Sequence, residues 1–338
     1  MNQPSLPMVS VVVIGRNEGA RLLRCLESVR QARSPEVQFE VIYVDSASID
    51  DSVAAAALTG AKVIHLDAVR PSAALARNAG WQVATGEFIL FLDGDTVLDP
   101  GFIAAALAAM AAPDAAVVWG HRRELAPQQS LYMRVLDLDW IYAPGDTAFC
   151  GGDALMRRAM LAQVGGFDTT LIAGEEPELC SRIRAQGGII RHLDVPMTLH
   201  DLGIYSLQAY WKHAFRAGHA YAEVGYRLKQ RGDTMWQRDA RRNLVRGTTV
   251  AVAPFVLLAA TWWQPLMGAL LLVLACALLL RSAVRCGWKS TNPLTRVLYA
   301  LHSHLQQLPI MCGQLAYHRD RRRGRQRELI EYKQWDPK

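Results

Sequence analysis

The chain reads as an α/β protein: a doubly wound, mostly parallel sheet followed by a C-terminal helical membrane segment. Three observations predict it. Strand-like and helix-like patterns alternate from Val9 to Leu92, polar residues gather just after the strand ends, and no charged residue occurs between Thr248 and Leu280. The expected organisation is a sheet domain over 1–230, a basic-flanked hairpin over 231–290, and an amphipathic helix with a basic tail over 291–338.

Val9 to Ile14 is an apolar, β-branched run, the pattern of a strand buried on both faces. Gly15 to Gly19 forms a turn, and Leu22, Leu26 and Val29 then recur at helical spacing. A second strand covers Phe39 to Val44, a helix Asp51 to Leu58, a short strand Lys62 to Leu66, a helix Leu75 to Ala84, and a buried strand Phe88 to Leu92. Such alternation builds a parallel sheet with helices on both faces. In open α/β sheets, ligands bind beyond the carboxyl ends of the strands. Asn17 and Glu18, then Asp45, then Asp93 and Asp95 stand at three such ends. Asp50 or Asp51 is explained equally well as a helix cap.

Asp93-Gly94-Asp95 is the sharpest chemical signal. Two carboxylates this close repel unless something positive lies between them. A hard divalent cation, Mg2+ or Mn2+, prefers such oxygen ligands and accepts phosphates into its shell. The six cysteines, by contrast, make neither a CxxC pair nor a Cys/His cluster, so zinc and a disulfide framework are not expected.

These segments, in this order, resemble the family 2 glycosyltransferases and their GT-A domain. The matching runs are Val11 to Glu18, Val44 to Asp50, Ala76-Arg77-Asn78-Ala79-Gly80, Asp93-Gly94-Asp95, Gly165-Gly166-Phe167-Asp168 and Gly174 to Leu179. The resemblance implies that Asp45 contacts the base or ribose of a nucleotide and that Arg77 contacts the nucleotide. It implies that Asp95 and Asp93 hold a metal on the donor diphosphate, with His200 as an added ligand, and that Gly151, Gly152 and Asp153 form an acceptor-side loop. Glu176 falls where the family keeps its catalytic base, with Glu175 as the rival. Three positions depart from the family pattern: Ile14 replaces a proline, Ser46 replaces the second acid after Asp45, and glutamate replaces aspartate at 176.

The chemistry such a site needs is consistent with these residues. A cation acts as a Lewis acid on the leaving diphosphate, and a positioned carboxylate takes the acceptor proton. Single-step displacement with inversion is expected. Pro177 suits the first helical position, which would make Glu176 the N-cap. His200 reads equally as a ligand or as a buried, hydrogen-bonded histidine. Arg182 is placed to pair with Glu178, one turn earlier, and Asp168 to form a turn.

Half of the residues, 51%, are hydrophobic and the net charge is +6, with the basic excess concentrated late in the chain. The uncharged stretch from Thr248 is divided by Trp262-Trp263-Gln264-Pro265 into two spans of marginal length for a bilayer. Arg241, Arg242 and Arg246 flank its start, and Arg281, Arg285 and Lys289 its end. Basic flanks mark the cytoplasmic side, so a hairpin is expected with both ends there, a re-entrant pair or a single tilted span being the alternatives. Leu294, Val297, Leu298, Leu301, Leu305, Leu308 and Leu315 recur at helical spacing, either on the membrane surface or against the sheet domain, with a kink at Pro309. The aromatics from Tyr205 to Tyr226 line an acceptor entrance, rest at the interface, or fill a core. Arg319, Arg321, Arg322, Arg323, Arg325 and Arg327 suit anionic phospholipid, with no nucleic acid partner expected.

No basic n-region precedes an apolar run at the N-terminus, so the sheet domain is expected at the cytoplasmic face of the inner membrane. The partners expected are a UDP- or GDP-type sugar donor and a glycan or lipid-linked acceptor. Two other classes fit less well. A nucleotidyltransferase needs a Gly-rich phosphate loop that Gly15-Arg16-Asn17-Glu18 does not supply. A non-catalytic tethered scaffold would have no use for candidate metal ligands beside a candidate base. Few spans exclude a multi-pass transporter, and the lack of a Gln-x-x-Arg-Trp run argues against processive synthesis.

Overall fold

A computed structural model describes residues 6–68 and 70–325. Arg327 and the end of the basic tail lie outside the described residues. The chain divides into two compact units: a sheet unit of residues 6–125 and 142–202, and a helical unit of 126–141 and 203–325.

In the sheet unit, the elements run β1 (Met8–Gly15), α1 (Ala20–Gln31), β2 (Gln38–Asp45), α2 (Ser52–Leu58), β3 (Lys62–His65), α3 (Ala73–Val83), β4 (Phe88–Asp93), β5 (Thr96–Leu98), α4 (Phe102–Met110) and β6 (Ala115–Glu124). In the helical unit, α5 (Leu131–Leu136) and a 3-10 turn (Asp137–Trp140) follow. The chain then returns to the sheet unit for β7 (Gly145–Asp146), β8 (Ala154–Arg157), α6 (Arg158–Val164), α7 (Glu175–Ala185) and β9 (Ile189–His200).

The strands lie in the order β3-β2-β1-β4-β8-β6-β9-β5, with β7 on β9. β3, β2, β1 and β4 are parallel, and β8 enters antiparallel between β4 and β6. The register puts Gly15 beside Asp45, Asp45 beside His65, and Ile14 beside Asp93. The polar strand ends foreseen from sequence therefore share one edge of the sheet. Val9, Val11, Val12 and Val13 of β1 are fully buried, as are Ile89 to Leu92 of β4. Each such side chain removed from water stabilises the fold by about 1.5–3 kcal/mol. Leu22, Cys25, Leu26 and Val29 of α1 face this core.

α3 begins under a Ser72 cap whose hydroxyl accepts from Leu75 N at 3.2 Å. Gly80 lets α3 lie directly on the sheet: a Cβ there would fall 2.3 Å from a Val12 methyl.

The structure corrects three local expectations. α7 starts at Glu175 behind Gly174, which sits in the left-handed region at φ 81°, so Glu176 is the second helical residue and not the N-cap. Pro177 is accommodated in the first turn, where a missing N–H costs nothing. The strand expected over Val195 to Leu199 extends over the whole of β9, because β6 and β5 pair along it from Ile189 to His200. Among the described residues past 290 there are two helices, broken at Gln306 and not at Pro309, which falls in the first turn of the second.

The helical unit continues with α8 (Leu207–Gln230), α9 (Gln237–Trp263), α10 (Pro265–Arg285), α11 (Pro293–Leu305) and α12 (Gln307–Arg322). α9 and α10 break at Gln264 and fold back on each other, with Gly268 against Thr261. Their most apolar windows have mean hydropathies of 1.6 and 2.3 and are 11% buried, so both are long and apolar enough to cross a membrane. α12 packs on α8 where Gly313 meets the Phe215 carbonyl, and on α9 where Gly247 meets Met311. α11 has its polar side inward: His302 and the Tyr299 hydroxyl bond to Asp139 at 3.0 and 2.7 Å, and Tyr210 bonds to His302 at 2.8 Å. Leu294, Val297, Leu301 and Leu305 face outward. Of the upstream aromatics, Tyr210 is buried, whereas Tyr205 and Trp211 are exposed.

Gly80→Ala is expected to cost about 1–3 kcal/mol through the clash with Val12. Thermal unfolding of the purified chain should show the loss. An unchanged melting temperature would contradict the packing of α3 on β1.

Candidate active site

The carboxyl edge of the sheet carries a continuous set of charged groups centred on Arg77. This side chain projects from α3 and is only 2% exposed. Its Nη2 donates to Asp93 Oδ1 at 2.9 Å, and its Nη1 lies 3.0 Å from Glu175 Oε1 and 2.9 Å from Glu176 Oε1. The Phe167 ring packs beneath the guanidinium, 5.6 Å from its carbon to the ring centroid. Burial works against the charge, but Glu176, Asp93 and Glu175 together hold Arg77 protonated.

Asp93 also meets Arg122 Nη2 at 3.4 Å. Burial raises its carboxyl, but the two guanidiniums prevail and hold it below the ordinary carboxylate range. Its backbone N–H donates to Asp153 Oδ1 at 3.0 Å, and Thr198 donates to the other Asp153 oxygen at 2.7 Å. Asp153 is thus turned inward, tying β4 to β9, and burial lifts its carboxyl above the usual range against the pull of Arg122. Gly152 is required by close approach: a Cβ would lie 2.7 Å from Arg77 Nη2 and 2.9 Å from Asp93 Oδ2.

Asp95 and His200 are 2% and 3% exposed and meet at 3.2 Å between Oδ2 and Nε2. With Asp93 they offer three ligand atoms within 4.8 Å of one another. Two carboxylates and an imidazole, Asp95 and His200 buried and Asp93 half-buried, are a donor set that suits Mn2+ or Mg2+. Glu176 lies across Arg77 from Asp93. Burial pushes its carboxyl up to about 7, Glu175 adds to the shift, and Arg77 opposes it.

The other residues singled out from sequence hold the loops of this edge. Asn17 N donates to Ser48 Oγ and Asn17 Oδ1 accepts from Ile49 N, both at 2.8 Å. Glu18 pairs with Arg21 at 3.0 Å. Asp45 is fully buried among Tyr43, Ser48 and His65. Gly151 lies beside Arg122. Asp168 forms its turn by accepting from Thr170, and Arg182 grips Glu178 with bonds of 3.1 and 2.7 Å. Arg122 and Thr198 were not foreseen, nor was the packing of Phe167 under Arg77. Only the charged His121-Arg122-Arg123-Glu124 end of a long apolar strand hinted at the first of them.

Comparison with known proteins agrees with this geometry. Residues 10–165 match the family model described as Glycosyl transferase family 2. A mannosyltransferase from Pyrobaculum calidifontis, solved in complex with GDP-Man and Mn2+, superposes with a TM-score of 0.68 at 20% identity, covering 94% of this chain and 88% of that one. The fold is therefore GT-A, and residues 10–165 resemble the family 2 glycosyltransferases. The pre-mycofactocin glycosyltransferase of Mycobacterium tuberculosis is 30% identical over 214 residues, which is 59% of this chain and 43% of the relative. The glycosyltransferase AglE of Haloferax volcanii is 33% identical over 96 residues, 27% of this chain and 31% of that protein. The chain thus spans under half the length of these curated relatives.

Arg77→Ala is expected to destabilise the sheet unit by about 3–5 kcal/mol, since it leaves three crowded carboxylates without their cation. Arg77→Lys should cost less. Equal thermal stability of wild type and the alanine variant would contradict the clamp.

Proposed function

We propose that the chain is a metal-dependent, inverting glycosyltransferase that moves a sugar from a nucleoside diphosphate to a hydroxyl acceptor at the cytoplasmic face of a membrane. The observation that carries this reading is the bridge made by Arg77: one guanidinium joins Asp93, beside Asp95 and His200, to Glu176. The proposed ligands and the proposed base are thereby joined through one side chain, which supports the reading.

In this reading Asp95, His200 and Asp93 hold Mn2+ or Mg2+. The cation, when bound, neutralises charge on the leaving diphosphate. Glu176 takes the proton of the acceptor hydroxyl as that oxygen attacks the anomeric carbon, and the carbon–oxygen bond to the diphosphate breaks with its electron pair. Glu176 suits the role better than Glu175, because its carboxyl is the more open of the two, at 14% against 6%, and because its affinity for a proton lies near neutrality. Arg77 keeps both glutamates in place. Gly151 and Gly152, with Asp153 behind them, shape the acceptor side.

The Pyrobaculum mannosyltransferase binds GDP-Man and Mn2+, which supports a nucleotide-sugar donor and a divalent cation here. Asn17, Glu18 and Asp45 build the nucleotide loops. The apolar pair α9 and α10, within the hairpin of 231–290, supports membrane attachment. Trp262 and Trp263 at its turn are 91% and 82% exposed, as interfacial tryptophans are. The outward leucine face of α11 extends that surface. An acceptor held in or near the membrane, lipid-linked or part of the envelope glycan, fits this attachment.

Nucleoside diphosphate release by the purified chain tests the reading. Activity should vanish with EDTA and return with Mn2+. Glu176→Gln should lower kcat by about 10²–10⁴ with little change in donor KM. Full activity in EDTA, or in Glu176→Gln, would overturn it. Because Glu176 must be ionised to accept a proton, kcat/KM should rise with pH along an acidic limb centred near 7. A flat profile from pH 5 to 8 would exclude Glu176 as the base.

A further inference from the structure

The family resemblance assigns the base or ribose contact to Asp45, yet the Asp45 carboxylate is occupied. It has no exposed surface. Tyr43 OH donates to Oδ1 at 3.0 Å, Ser48 N donates to Oδ2 at 2.9 Å, and His65 Nδ1 lies 2.9 Å from Oδ2. Reaching a nucleotide would cost Asp45 these bonds. The second acid that the family places next to it is Ser46 here.

His65 is differently placed. It ends β3, is the register partner of Asp45, and has a side chain 53% exposed. It therefore stands at the same carboxyl edge as the loops zipped together by Asn17, Ser48 and Ile49. An ionised carboxylate can only accept hydrogen bonds, so the ring nitrogen facing Asp45 carries the proton. In the neutral imidazole the other nitrogen, Nε2, is then an acceptor, and it lies on the side of the ring away from the buried carboxylate.

We propose that His65, held in this tautomer by Asp45, reads the nucleobase of the donor by accepting a hydrogen bond at Nε2 from the ring N–H of uracil or guanine. Adenine and cytosine present a lone pair at the corresponding ring nitrogen, so two acceptors would face each other. Asp45 acts one step back as the positioning residue, which explains how its neighbour can be Ser46 without loss of base recognition. The inference rests on the nucleotide-sugar reading of the site.

Calorimetric titration of the full chain with UDP, CDP, GDP and ADP in the presence of Mn2+ tests it. The wild type should prefer an oxo base over its amino counterpart, UDP over CDP or GDP over ADP, by about tenfold. His65→Phe keeps a ring of similar area but removes the acceptor. Its preference should fall below about twofold while all four nucleotides still bind measurably, which also reports that the variant is folded. Full preference in His65→Phe would overturn the proposal, as would a wild type that binds the four without discrimination. Binding of none of them with Mn2+ would sink the nucleotide-sugar reading and this inference with it.

Discussion

The site is organised by one buried cation. Arg77 comes from α3, and the groups it holds come from β4 and from the first turn of α7. Its stacking partner Phe167 lies in the turn before α7. Removing a guanidinium and carboxylates from water costs several kcal/mol per ion, and only close, multiple pairing offsets that cost. The pairing dictates much of the surrounding structure. Gly152 must lack a side chain to let Arg77 and Asp93 meet. Asn78, next to Arg77, fixes the Phe167 backbone with bonds of 2.8 and 2.9 Å. Segments that read as separate motifs along the chain are thus parts of one contact network. A loss at any one of them is felt by the carboxylates at the others.

That network also shapes the proton affinities on which the proposed chemistry depends. Asp93 has two guanidiniums and is held ionised, whereas Glu176 shares one guanidinium with Glu175 inside the protein and is pushed up to about 7. Carboxylates of similar intrinsic acidity are thus driven to different proton affinities, as the proposed roles of ligand and base require.

Much of this was legible in the sequence, and what was not has a physical reason. β1 and β4 announced themselves because buried parallel strands are continuous apolar runs, and Asp93-Gly94-Asp95 could be placed because it ends one of them. The pair Arg182–Glu178 was readable because it is one helical turn apart. The inward turn of Asp153, the reach of Arg122, and the engagement of Asp45 by His65 were not. Each depends on strand register or on partners 20 to 60 residues away, which local periodicity does not encode. The start of α7 was misread because Pro177 suggested the first helical position, whereas Gly174 provides the turn and the proline is carried further in. In the helical unit the leucine period past residue 290 was legible, but not that α11 turns polar side chains toward Asp139 and its leucines outward, while α12 packs through Gly313.

The claim on which the account turns is that Asp95 and Glu176 serve one cavity in separate capacities, the first binding a cation and the second accepting a proton. Electron paramagnetic resonance of Mn2+ titrated into the full chain with a nucleoside diphosphate separates them. Bound Mn2+ should be seen in the wild type and in Glu176→Gln with equal affinity, and lost in Asp95→Asn. Mn2+ binding that survives in Asp95→Asn, or that disappears in Glu176→Gln, would contradict the arrangement.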